Sequence, residues 1–178
     1  MRIAVASDIH GSLLCAKVFS EKARALGADK ILLLGDLYYH GARNPLPEGY
    51  DPRGVAEFLN AHREEIIAIR GNCDSDVDQT VSEFDLASSA VLCLGDKTIF
   101  ASHGDRYDID HLPVGSYDVV LYGHYHTGFI REKEGVIVAN PGSISLPKGG
   151  TPRSFLLLDE DSISLFDLSG ALLEKRSL

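Results

Sequence analysis

Apolar residues come in short runs separated by polar, glycine-bearing turns, and the period of these runs changes along the chain. Arg2 to Ser7 is a compact apolar run of the kind that forms a strand buried on both faces. Ser12 stands where a helix N-cap belongs, ahead of a broad apolar face made by Leu13, Leu14, Ala16, Val18 and Phe19. Gly27 ends that helix after about Leu26. Lys30 to Leu34 predicts a second buried strand, about Arg53 to His62 a helix, and Glu65 to Ile69 a third strand. Leu37 to Pro52, with Asn44-Pro-Leu-Pro and Gly49, reads as a long loop, suited to a functional lid or to a plain surface excursion.

Strands dominate the second half. Val91 to Leu94, Thr98 to Ser102 and Asp118 to Tyr122 are short apolar runs, with an irregular or helical stretch near Tyr107 to Leu112. Thr127 to Arg131 and Val136 to Ala139 predict a hairpin around Lys133-Glu134-Gly135. Ser154 to Leu158, Ser162 to Asp167 and Ala171 to Lys175 predict a terminal meander. With no linker, low-complexity tract or repeat, the expectation is one α/β (α+β) domain over residues 1–178, containing more than one sheet.

Composition narrows the class. The 178 residues are 44% hydrophobic, enough for one domain that buries ~70% of its unfolded surface. Three widely spaced cysteines, Cys15, Cys73 and Cys93, with no C-x-x-C pair, suit a reducing compartment. Asp8 falls where a signal peptide needs its apolar core, and no apolar run reaches the ~18 residues of a membrane span. The expectation is a cytoplasmic protein with no membrane partner. A charge of −9, from 26 acidic against 17 basic residues, argues against binding long nucleic acids. Charge alone also predicts poor attraction for any anionic ligand.

Metal-competent side chains gather where strands end. Asp8 and His10 follow the first strand, Asp36 the second, Asn72 the third, His103 the strand 98–102, and His124 and His126 the strand 118–122. In open α/β sheets, ligand sites form outside the carboxyl ends of strands. Singly, each signal reads as readily as a turn or a capped loop. Five strands delivering seven such residues to one edge is a different matter. Mixed carboxylate, imidazole and amide donors suit Mn, Fe, Zn or Co, and their number suggests two ions sharing a bridging ligand. No nucleophile elbow, phosphate-binding loop or H-E-x-x-H helix is present.

Asp8-x-His10, Gly35-Asp36, Gly71-Asn72-Cys73-Asp74, Ser102-His103-Gly104 and Gly123-His124-x-His126, in this order, resemble the calcineurin-like metallophosphoesterase signature. The resemblance covers residues 1 to about 165. It extends to the small bacterial YfcE-type phosphodiesterases through Asn140-Pro-Gly-Ser143, Ile144-Ser-Leu-Pro-Lys-Gly-Gly150 and the loop His40 to Tyr50. It implies a sandwich of two β-sheets flanked by helices. It also implies one divalent ion held by Asp8, His10, Asp36 and His126, and a second held by Asp36, Asn72, His103 and His124. Manganese heads the candidate ions, with Fe, Zn, Co and Ni also suited. The implied reaction is hydrolysis of small phosphodiesters by a hydroxide bridging the two ions, with Asp36, Asn72, His124 and Cys73 at the reacting phosphate. A homo-oligomer, dimer or tetramer, is implied as well.

Several positions depart from the family pattern. Cys73 occupies the place where many relatives have a leaving-group histidine, Asp105 the place of a second histidine, and Tyr125 that of a threonine. Asp74 and Asn140 are expected to orient metal-bound imidazoles, Arg70 to form a buried ion pair, and Cys15 and Cys93 to lie in the core. Two other readings stay open: a non-catalytic scaffold on the same fold, like the retromer subunit that resembles this branch, and a phosphomonoesterase using the same site.

Overall fold

The computed structural model describes residues 1–178 and places twelve strands in two sheets. The first sheet is built on β1 (Ile3–Ala6), β2 (Lys30–Leu33), β3 (Ile66–Ile69) and β4 (Leu86–Ala87), which run parallel. The second contains β5 (Ser89–Leu94), β6 (Lys97–Ser102), β7 (Val119–Leu121), β8 (Gly128–Lys133) and β9 (Val136–Pro141). Its spatial order is β5-β6-β7-β9-β8, with β6, β7 and β9 parallel. The chain then returns to the first sheet as the antiparallel meander β10 (Ser154–Leu158), β11 (Ser162–Asp167) and β12 (Leu172–Ser177), giving the order β12-β11-β10-β1-β2-β3-β4. The expected two-sheet sandwich is the observed architecture.

Alternation along β1 shows how the layers form. Ile3 and Val5 point into a core shared by both sheets, with Leu32, Ile69, Ile99, Leu121 and Leu156. Ala4 and Ala6 face the other way, toward α1 (Leu13–Ala25) and α2 (Pro52–Asn60), whose Ala16, Phe19, Val55 and Leu59 cover that face. Because both faces are buried, the strand reads as a continuous apolar run. Ser12 caps α1, its side chain accepting the Cys15 N–H, and Asp51 caps α2 with Pro52 in the first turn. The outer face of the second sheet carries Phe100, Val120, Tyr122 and Val138, covered by the segment holding Tyr107, Ile109 and Leu112. That segment is irregular. No helix is long and apolar enough to cross a membrane.

Two elements depart from the sequence expectation. The helix α3 (Asp76–Val81) and the two-residue β4 lie where apolar periodicity is absent. A Ser75–Asp78 capping box starts α3, so its signal was in the cap and not in the apolar pattern. The hairpin 128–141 turns through Glu134 and Gly135, both with positive φ, which is the two-residue turn that matches strand twist. Cys15 is buried as expected, whereas Cys93 is exposed because it sits on the outward-facing register of the edge strand β5. Arg70 pairs with Asp76 at 2.8 Å, but in solvent and not in the interior.

Candidate metal centre

All seven strand-end residues converge on one cleft edge. His10 Nε2 lies 3.6 Å from Asp8 Oδ1 and 3.2 Å from His126 Nε2, and His126 Nε2 lies 3.2 Å from Asp8 Oδ1. On the other side, Asn72 Oδ1 is 2.9 Å from His103 Nε2 and 2.7 Å from His124 Nδ1. Asp36 stands between the two groups. Its Oδ2 is 3.7 Å from His10 Nε2 and its Oδ1 is 3.5 Å from His103 Nε2. Asp8, His10, Asp36, His103 and His126 are buried, whereas Asn72 is exposed and His124 half-buried. One group is therefore sealed, and the other opens to solvent.

The chain fixes which nitrogen of each imidazole faces the centre. Nδ1–H donates to a backbone carbonyl in three cases: His10 to Tyr39 (2.8 Å), His103 to Leu34 (2.7 Å) and His126 to Leu146 (2.6 Å). A carbonyl only accepts, so Nδ1 carries the proton and Nε2 presents a lone pair. Lone pairs of the His10, His103 and His126 Nε2 atoms and oxygens of Asp8, Asp36 and Asn72 thus gather around one centre. Asp8 Oδ1 is buried with no hydrogen-bond partner at all. An unsatisfied buried carboxylate oxygen is costly, and a cation satisfies it. The residues fit a divalent metal site, and three groups of ligand atoms here lie close enough together to share an ion.

Protonation shows the same demand for positive charge. Burial of His10 opposes a charged ring, but the adjacent Asp8 carboxylate outweighs it and holds the imidazole pKa above its ordinary value. Burial of Asp8 favours its neutral form, yet with no metal bound the neighbouring His10 and His126 rings, when they take up a proton, hold its pKa well below the carboxylate range. His124 titrates low, first through burial and then through the nearby His103.

The local backbone is strained where the donors sit. Asp8 (φ 55°), His10 (49°), Asp36 (55°), His124 (65°) and His126 (58°) all adopt the left-handed conformation. Each costs about 1–2 kcal/mol for an ordinary L-residue, and Asp and His are among those that tolerate it best. Such strain persists only where surrounding structure holds it. Ser143 and Ser145 hydroxyls donate to the Asp8 carbonyl at 2.7 and 2.9 Å, and Asn140 Nδ2 donates to the Gly123 carbonyl at 2.7 Å. Glycine is required where backbones meet: a Cβ on Gly71 would collide with the Asp36 backbone nitrogen and carboxylate.

Two expected roles change. Asp74 touches no imidazole; it accepts N–H groups from Asp36, Leu37 and Gly71, each at 2.8 Å. Asn140 likewise orients the loop before His124, not a ring. The carbonyls of Tyr39, Leu34 and Leu146 do the orienting, which residue types along a sequence do not reveal. Ser143 and Ser145 stand in the run Asn140 to Gly150, where nothing in the residue types points to their hold on the Asp8 carbonyl. Asp105 is exposed, and Tyr125 donates its hydroxyl to Asp108 at 2.9 Å. Cys73 lines the cleft, its N–H donating to Asp36 Oδ1 at 2.8 Å. Burial, with the Asp36 charge second, pushes its thiol up to about 12.

The model of the calcineurin-like phosphoesterase superfamily domain matches residues 1–162. The chain belongs to that superfamily. Among its superfamily relatives, the phosphodiesterase YfcE of Escherichia coli K12 is 42% identical over 171 residues, covering 95% of this chain and 93% of the relative. The solved structure of the E. coli phosphoesterase YfcE superposes with a TM-score of 0.95 at 38% identity, covering 99% of each chain. Vacuolar protein sorting 29 from Cryptosporidium parvum shares the fold, with a TM-score of 0.68 at 20% identity over 99% of this chain and 97% of the other.

Proposed function

We propose that this chain is a metal-dependent hydrolase of small phosphodiesters working with two divalent ions. The observation that carries this reading is Asp36, which offers one carboxylate oxygen to the His10 side and the other to the His103 side. A carboxylate is the donor able to bridge. Asp8, His10, Asp36 and His126 would hold one ion, and Asp36, Asn72, His103 and His124 the other, with manganese the first candidate. Bound there, such ions make hydroxide available at neutral pH and neutralise charge on the phosphoryl oxygens. The activity named for the 42%-identical relative, a phosphodiesterase, supports the same reading.

The chain's own residues do the rest. Nδ1–H tautomers of His10, His103 and His126, locked by carbonyls, keep the Nε2 lone pairs aimed at the centre. Half-exposed His124 and exposed Asn72 leave the second group accessible from a cleft of about 690 Å³, suited to a small ester. Cys73 stands beside Asn72 as a neutral thiol, so it offers the leaving group a weak donor and no base. The test is hydrolysis of bis-p-nitrophenyl phosphate across a matrix of Mn, Fe, Zn, Co and Ni, together with metal counting. We expect turnover, two ions per chain, and loss of turnover in Asp36→Ala and His126→Ala. No turnover with any of these ions overturns the reading in favour of a scaffold, and unaltered turnover in both variants overturns it by showing that these donors do not carry the reaction.

A further inference from the structure

The cleft mouth carries four side chains that metal binding does not use. Arg43 and Tyr39 come from the loop after β2, Tyr125 from the loop after β7, and Lys148 from the loop after β9. All four line the same cleft as Asp36, Asn72 and His124. We propose that they select a phosphodiester with an aromatic ring and a second phosphate in one ester arm, the chemistry of a nucleotide bearing an additional phosphate. Tyr39 and Tyr125 meet the ring, and Arg43 and Lys148 meet the second phosphate. This rests on the hydrolytic reading of the site and names its substrate class.

What sets Arg43 and Lys148 apart is their place at the mouth of the donor cleft. Elsewhere in the chain some basic groups find carboxylates, Arg70 with Asp76, Lys133 with Asp110 and Arg153 with Glu48, and others stay unpaired at the surface. Arg43 and Lys148 have no carboxylate within ion-pair distance, although Asp36 lines the same cleft. Both are launched from fixed backbone. The Lys148 N–H donates to the His126 carbonyl at 2.9 Å, and its own carbonyl accepts the Thr151 hydroxyl at 2.9 Å. Arg43 sits in a turn closed by Asn44, whose Nδ2 donates to the His40 carbonyl at 2.8 Å. A phosphodiester carries one negative charge, and the donor centre already addresses it. Two further cations with no protein partner are surplus to that charge and match a second phosphate, Arg as a fork and Lys as a point charge.

The aromatic pair is equally placed. Tyr39 is 44% and Tyr125 48% exposed, and both line the cleft. Tyr125 is held by its hydroxyl bond to Asp108 and by edge contact with His124 at 5.3 Å between ring centroids. The Tyr39 carbonyl is tied to His10, so its side chain also starts from a rigid point. Fixed, exposed rings beside unpaired cations form a stacking surface for a base, an interaction that tolerates any nucleobase.

The experiment compares kcat/KM for a dinucleotide with and without a 5′-terminal phosphate, using Mn²⁺-loaded protein and bis-p-nitrophenyl phosphate as the reference ester. We expect the phosphorylated dinucleotide to be preferred by roughly tenfold or more. In Arg43→Gln/Lys148→Gln the preference should fall to about one, and Tyr39→Leu/Tyr125→Leu should raise KM for both dinucleotides. Calorimetry adds a readout free of turnover: adenosine 3′,5′-bisphosphate should bind more tightly than adenosine monophosphate in the wild type, and equally in the double-Gln variant. All four side chains are exposed enough for the variants to fold. Hydrolysis of the reference ester with a wild-type preference near one, or with a preference surviving in the double-Gln variant, overturns this inference alone. Failure to hydrolyse even the reference ester overturns the hydrolytic reading and this inference with it.

Discussion

The Asp74 carboxylate holds the backbone of Asp36, its Oδ2 accepting the Asp36 N–H at 2.8 Å. The same carboxylate takes the N–H groups of Leu37 and Gly71, so one buried side chain ties the loop after β2 to the loop after β3. Each donor left unsatisfied costs ~1–3 kcal/mol. Asp74→Ala should therefore lower stability by about 3 kcal/mol or more. Guanidinium unfolding of the metal-free protein checks this, and metal counting should show occupancy falling along with stability.

Gly71 is a second point where the bridging carboxylate depends on a distant neighbour. A Cβ there meets the Asp36 nitrogen and carboxylate, neither of which is the free end of a flexible chain. Gly71→Ala should cost about 1–3 kcal/mol as an overpacked site. It should also weaken metal binding at both donor groups at once, which competition against a chelator measures. A variant that binds metal like the wild type would show that the loop yields easily.

Metal removal should leave a pH signature. His10 is raised, so in the metal-free protein its contribution to stability is present below the unfolded imidazole pKa and lost as pH rises through the folded value. Asp8 is lowered, so its contribution is present above the unfolded carboxylate pKa and lost as pH falls through the folded value. The apo protein should therefore be most stable between these limits, declining on the alkaline side of the folded His10 pKa. Metal binding must displace that proton, so Mn²⁺ should raise Tm more at pH 8 than at pH 6. Thermal scans with EDTA and with Mn²⁺ at the two pH values decide it.

Cys73 predicts a leaving-group preference. A thiol pushed up to about 12 is neutral at physiological pH and donates weakly. Aryl phosphodiesters, which need no proton on departure, should be cleaved much faster than alkyl monoesters. Cys73→His installs a general acid, an effect worth ~10²–10⁴-fold in favourable geometry. The ratio of aryl to alkyl kcat/KM should narrow by at least tenfold, and an unchanged ratio would sink the leaving-group role.

Much of the centre was legible because its parts are local. The donor types Asp8, His10, Asp36, Asn72, His103, His124 and His126 each follow a short apolar run, and strand ends are readable from such runs. The helix α3 was not legible, because a six-residue element with no buried residue has no apolar face to announce it. The role of Asp74 is hidden from the sequence for a related reason. Whether a carboxylate meets an imidazole or a backbone N–H depends on how two loops cross, and Asp74 and Asp36 lie 38 positions apart.

By itself, the sequence determined the inventory: every strand but β4, the seven donors, the net acidity and the absence of a nucleophile motif. These follow from side-chain identity and short-range periodicity. Only the tertiary structure decided how the donors face one another. Carbonyls from Leu34, Tyr39 and Leu146 choose the imidazole tautomers across separations of 69, 29 and 20 residues. Left-handed backbone at five donor positions is held by contacts from other loops, not by local preference. The −9 charge is likewise a sum over the chain, whereas attraction for phosphate depends on where the cations and donors converge. Convergence is a property of the fold, because bringing distant residues together takes the packing of both sheets.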